Sequence, residues 1–261
     1  MVQTANVVQL KPRTLEAFES YIRDAEAGMQ PSLQGDSAFL WSDTDQPRAQ
    51  QVRQGKIVAQ LWAGDGPVKI PNGLIHDWTG AVFVPGATVG QSLALVQNYD
   101  HHKNIYQPEV VDSKLIRHDG NDFQISLRLL KKKIITVVLD TNHDVHYSEI
   151  GPGRWFCRSY STRIVEVEDA GTEKEHTLEP DTGYGFLWRL YSYWKFDEKS
   201  DERRGSAAAA NGVYIECRAI SLTRDIPYGL GWIIEPIVRK LPQESLIHTL
   251  ECTRKALQAA G

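Results

Sequence analysis

The stretch from Val110 to Glu168 constrains the fold most, because it reads as successive strand-length segments separated by explicit turn chemistry. Val110 to His118, Asp122 to Leu130, Ile134 to Ile150 and Trp155 to Glu168 are rich in β-branched and aromatic residues. Asp119, Gly120 and Asn121 separate the first pair. Gly151, Pro152 and Gly153 separate the last pair, and an Asp and a Gly between Glu168 and Thr172 form a further turn. Connections this short join antiparallel neighbours, whereas parallel strands need a long crossover. The middle of the chain is therefore expected to be an antiparallel meander.

Two further strands extend it. Tyr184 to Phe196 alternates Phe186, Trp188, Leu190 and Trp194 against Arg189, Tyr191, Tyr193 and Lys195, the period of a half-buried strand with one wide apolar face. Val213 to Thr223 sets Val213, Ile215, Cys217 and Ala219 opposite Glu216 and Arg218. The charged, alanine-rich segment from Asp197 to Gly212 is the long connection between them. Upstream, Lys56 to Trp62 and Ile75 to Val84 read as strands, and Thr88 to Tyr99 as a helix carrying Val89, Leu93 and Val96 on one face.

Helical periodicity marks both ends. Leu15, Phe18, Ile22 and Ala25 predict an amphipathic helix from Thr14 that Gly28 and Pro31 end, followed by an irregular stretch from Met29 to Gln54 anchored by Phe39, Leu40 and Trp41. At the C-terminus, Tyr228 to Leu241 leads into Pro242, and Leu246, Leu250, Thr253 and Leu257 continue a clean stripe. The expectation is a long helix broken or kinked at Pro242. A chain of 261 residues suits one domain with an N-terminal extension.

The element order, a short helix after the first body strand, a long antiparallel meander, and a C-terminal helix opened by the junction from Thr223 to Trp232, resembles the START-like (SRPBCC) superfamily of polyketide cyclases, lipid-transfer domains and birch-pollen-allergen-like proteins. The resemblance covers Ile75 to Leu257. It implies an α+β helix-grip fold, a curved antiparallel sheet wrapped around the C-terminal helix with a cavity between them. On this reading residues 1–70 are an N-terminal extension packed on the domain and residues 71–261 the helix-grip domain. One long helix covers only part of an aromatic sheet face, and such a shape leaves ligand-sized gaps. The expected lining is Phe186, Trp188, Leu190 and Trp194 from one strand, Ile215 and Cys217 from its neighbour, and Trp232, Ile233 and Ile237 from the helix.

Other chemistries find little support in the residues. The net charge of -4 and interspersed signs give no footprint for nucleic acid. The three cysteines, Cys157, Cys217 and Cys252, form no CxxC pair and read as buried apolar residues. Asp140, His143, Asp144 and His146 lie close in sequence, but the two histidines differ in parity, so a metal site would need a turn there and a solvated bend is the better reading. His101 and His102 suit a cap at a helix C-terminus. Gly229 and Gly231 lack the third glycine and the βαβ context of a dinucleotide loop. No cofactor, metal or catalytic residue is expected.

No run of about 18 apolar residues suggests a membrane span. The first thirty residues lack the order of a secretory signal, so the given sequence reads as cytoplasmic, or as exported if a signal preceded it. The leading expectation is a binder or carrier of a small hydrophobic molecule such as a lipid, isoprenoid or polyketide-like compound. One alternative is a cyclase or hydratase using inward-pointing Glu216, Arg218 and Tyr160, although Glu216, Arg218, Arg189 and Arg163 more commonly form a solvated outer face. The other is an interaction module built on the N-terminal extension or the 197–212 connection.

Overall fold

A computed structural model describes residues 7–132, 136–199, 211–225 and 231–259, with the side chains of the last segment described from 240 onward. In chain order the elements are β1 (Val8–Gln9), α1 (Pro12–Gln34), a 3-10 turn (Trp41–Thr44), α2 (Gln46–Arg53), β2 (Val58–Leu61), β3 (Val68–Ile70) and β4 (Gly73–Pro85). They continue with α3 (Val89–Val96), a second 3-10 turn (Tyr99–His101), α4 (His102–Ile105), β5 (Val110–Asp119), β6 (Asp122–Lys132), β7 (Thr136–Gly151) and β8 (Arg154–Glu168). The remainder comprises β9 (His176–Thr177), β10 (Thr182–Gly183), β11 (Arg189–Lys199), β12 (Gly212–Arg224) and α5 (Gly231–Ala259).

The main sheet is antiparallel and open, in the order β2-β4-β12-β11-β8-β7-β6-β5, with β3 on β4 and β9 on β8. β5 to β8 form the meander that the turn residues dictate. Both β2 and β3, which precede residue 71, pair with β4. A capping box, with Thr88 and Gln91 exchanging bonds at the start of α3, turns the chain sharply after β4.

α5 lies across β4 and buries Leu246, Leu250, Thr253 and Leu257, the predicted stripe. Its approach is close enough to require Gly80: a Cβ there would sit 2.9 Å from Leu250 Cδ1 and 3.1 Å from the Val58 carbonyl oxygen. The helix is continuous through Pro242 rather than broken there. Packing of this face onto the sheet outweighs the missing amide hydrogen bond.

The N-terminal segment covers the other face of the sheet. α1 runs through both Gly28 and Pro31 to a left-handed cap at Gly35 (φ 88°), because its apolar stripe continues to Met29 and stays buried. Phe18, Ile22 and Met29 pack with Ile75, Tyr193 and Ile220. The stretch expected to be irregular holds α2, capped by the Asp45 side chain on the Arg48 amide at 2.9 Å. Phe39, Leu40 and Val52 fill a third cluster against Ala81, Phe83 and Tyr214. The 197–212 connection is described only at its ends, where β11 reaches Lys199 and β12 starts at Gly212; its middle, 200–210, lies outside the described residues.

Candidate ligand cavity

Strand parity builds the site. On β6, Ile125, Leu127 and Leu129 point to the α5 side, as do Val137, Leu139 and Val145 of β7, Cys157 and Ser159 of β8, and Leu190, Ser192 and Trp194 of β11. Cys217 and Ala219 of β12 continue the wall, and Leu246 and Thr249 of α5 face it. Together they enclose a cavity of about 360 Å³. That volume lies within the range of small-molecule sites.

The expected lining divides. Phe186, Leu190, Trp194 and Cys217 face the cavity. Ile215 lies on the same side of the sheet but is fully buried in the cluster with Val82, Val84 and Phe196, one residue pair beyond the gap. Trp188 packs on the opposite side, in the α1 cluster. The alternation fails there because β11 starts only at Arg189. Before it, a turn at Gly183 and Gly185 (φ 137° and 73°) is held by Glu166, whose carboxylate accepts from the Tyr184 and Phe186 amides at 2.7 and 3.1 Å. Trp232, Ile233 and Ile237 belong to the α5 backbone, but their side chains lie outside the described residues.

Polar groups on this side of the sheet are uncharged or paired. Tyr99 and Tyr147 hydroxyls share a hydrogen bond of 2.8 Å, and burial pushes the neighbouring Cys157 thiol up to about 12. Such thiols and phenols stay protonated and are poor nucleophiles. His102 does cap the C-terminus of α3, but as a neutral ring. Its buried Nε2 donates to the Val96 carbonyl at 2.9 Å, and burial holds its pKa down at about 4.

His143, expected in a solvated bend, sits mid-strand on the cavity wall, buried, with its pKa likewise near 4. Its Nε2 lies 3.1 Å from Thr141 Oγ1 and its Nδ1 3.5 Å from Ser159 Oγ. Lys131, which also lines the cavity, pairs with Glu109 and donates to Ser245 Oγ at 2.5 Å.

The ionic groups considered for catalysis lie elsewhere. Glu216, Arg218 and Tyr160 are on the face away from the cavity, and Glu216 and Arg218 are buried there rather than solvated, because the N-terminal segment covers them. Glu216 accepts from the Trp41 and Ser42 amides at 2.8 and 2.7 Å, and burial raises its pKa. Arg218 makes a two-pronged pair with Asp77 at 2.9 and 2.6 Å, Tyr21 donates to the same carboxylate at 2.7 Å, and the Trp62 ring covers the guanidinium at 3.9 Å. Tyr160 and Tyr193 both donate to Glu26 of α1.

Asp140, Asp144 and His146 point away from His143, toward Arg128, Gln124 and Asp122 respectively, and no cluster of three metal-ligating side chains occurs among the described residues. No described helix is long and apolar enough to cross a membrane.

No protein-family model and no curated protein matches the sequence. Among solved structures the chain is similar to a STAR-related lipid transfer protein fragment from Xanthomonas axonopodis, at 15% identity over 74% of this chain and 99% of that one, with a TM-score of 0.48. It is also similar to human STARD10 (9% identity, 88% and 86% covered, TM-score 0.44) and to the Zhui aromatase/cyclase from Streptomyces sp. R1128 (10%, 72% and 98%, TM-score 0.42). Its open antiparallel sheet with a long C-terminal helix packed on one face is the helix-grip arrangement expected from the element order.

Proposed function

We propose that the protein binds a small hydrophobic molecule in the cavity between the sheet and α5. The observation that carries this reading is the wall itself: leucine, isoleucine, valine and tryptophan side chains of β6, β7 and β11, with Cys157 of β8 and Cys217 and Ala219 of β12, surround about 360 Å³ that they do not fill. A ligand burying about 300 Å² of apolar surface there gains roughly 7 kcal/mol before association costs are subtracted. Binding without covalent chemistry fits the raised thiol and phenol pKa values. The ionic groups considered for cyclisation serve the packing of the N-terminal segment instead.

The test is mass spectrometry of protein purified without detergent, comparing native mass with an organic extract, together with titration by the apolar fluorophore N-phenyl-1-naphthylamine. A co-purifying lipid-like compound or saturable probe uptake at one site is expected. Failure of both would remove the reading.

A further inference from the structure

The cavity wall is mostly apolar; Glu109, Lys131, Ser245, His248 and Thr249 bring polar groups to it, and one polar seam crosses the sheet itself. His143 of β7, Ser159 of β8 and Ser192 of β11 all face the cavity, and Ser159 and Ser192 are direct cross-strand partners. Ser221 of β12 continues the seam beyond Ala219, the residue that pairs with Ser192. Ser192 Oγ accepts from Trp194 Nε1 at 3.3 Å, which leaves its own O–H to donate. Among the described residues, the Ser159 hydroxyl has the long 3.5 Å approach of His143 Nδ1 as its side-chain contact. These hydroxyls retain hydrogen-bonding capacity toward the space beside them.

Among the described residues, the Lys131 charge on the cavity wall is compensated. The Lys131 ammonium faces Glu109 and Ser245, and the three buried histidines on this side, His76, His102 and His143, bond to Thr223 Oγ1, the Val96 carbonyl and Thr141 Oγ1 respectively. An ionised ligand head would lose its hydration without gaining an opposite charge, whereas a hydroxyl or carbonyl would find donors and acceptors in the seam.

We infer that the Ser159–Ser192–His143 seam receives the single uncharged polar group, a hydroxyl or carbonyl, of an otherwise apolar ligand, and that the cavity discriminates against carboxylates. This rests on the cavity being the binding site, and the experiment separates the two claims.

N-phenyl-1-naphthylamine bound to the full chain is displaced with decan-1-ol or decanoate at pH 7.5, using wild type, Ser159→Ala, Ser192→Ala and the double variant. The alcohol should displace the probe at concentrations at least about tenfold lower than decanoate, since an unpaired buried carboxylate is heavily penalised. The double variant should weaken decan-1-ol about five- to tenfold relative to the probe, the worth of a hydrogen bond that the probe, which lacks a hydroxyl or carbonyl, does not make.

Probe binding with decanoate equal to or better than the alcohol, or with an alcohol affinity indifferent to both serines, overturns the seam and leaves the cavity standing. Absence of probe and competitor binding overturns both. The wild-type comparison of alcohol with carboxylate needs no variant to fold.

Discussion

The two faces of this one sheet solve opposite problems. The face under α1 and the 3-10 turn is filled, and its buried polar groups are ionic and bonded across long sequence separations: Arg218 with Asp77, Glu216 with the Trp41 and Ser42 amides, and Lys195 with Ser32 and the Phe39 carbonyl at 2.7 Å each. The face under α5 keeps a gap, and its buried histidines are neutral. Paired charge fastens the N-terminal segment to the sheet, although Ser42 Oγ, Arg48 Nε and Trp188 Nε1 on that face are buried without a hydrogen-bond partner among the described residues. Neutrality where space remains suits an apolar guest. The same alternating strands serve both, because each residue step reverses the face.

The largest expected effect separates the faces by pH. Burial lowers the pKa of His76, His102 and His143 to about 4 from an ordinary 6.5. The unfolded chain therefore binds protons that the native one refuses, so stability is full above pH 6.5 and falls as pH drops from 6.5 toward 4. Each histidine contributes up to about 3 kcal/mol to that fall. Urea midpoints measured from pH 8 to pH 4 should trace it, and His143→Gln should flatten the slope. A flat profile would mean that the α5 face is wet.

Arg218→Met should come next. It leaves Asp77 buried without its cation and should destabilise by about 3–5 kcal/mol in urea unfolding, while probe uptake by the folded fraction stays unchanged. A loss of probe affinity would couple the faces and break the distinction. Glu216→Gln should cost about 1–2 kcal/mol, since one accepting oxygen remains for the two amides.

Trp194→Ala should be mildest for stability, about 1–2 kcal/mol, because the ring borders space rather than packed neighbours on its cavity side. It should nonetheless weaken apolar probe uptake tenfold or more in a fluorescence titration.

Much of this architecture was legible in the sequence where a pattern repeats locally. The turns at 119–121 and 151–153 announce the meander, the stripe Leu246, Leu250, Thr253 and Leu257 gives the buried side of α5, and alternation places Leu190, Trp194 and Cys217 on the wall. The rest depends on contacts between distant residues. α1 passes Pro31 because Met29 is buried against the sheet, which no local signal contains.

Trp188 leaves the alternation because Glu166 holds the preceding turn from another strand. His143 reads as a polar residue in a charged stretch until the β7 register turns it inward, with Asp140, Asp144 and His146 outward. A same-parity test along that strand, setting Val137, Leu139, His143, Val145 and Tyr147 on one side, would have found it.

The most direct test of the account fills the gap. Ala219→Phe places a ring into the cavity from β12, with N-phenyl-1-naphthylamine titrated into this variant, Glu216→Gln and wild type. Ala219→Phe should reduce probe affinity at least about tenfold with thermal stability kept or raised, while Glu216→Gln should bind as wild type does. Undiminished uptake by a folded Ala219→Phe protein would place the hydrophobic site elsewhere and contradict the central claim.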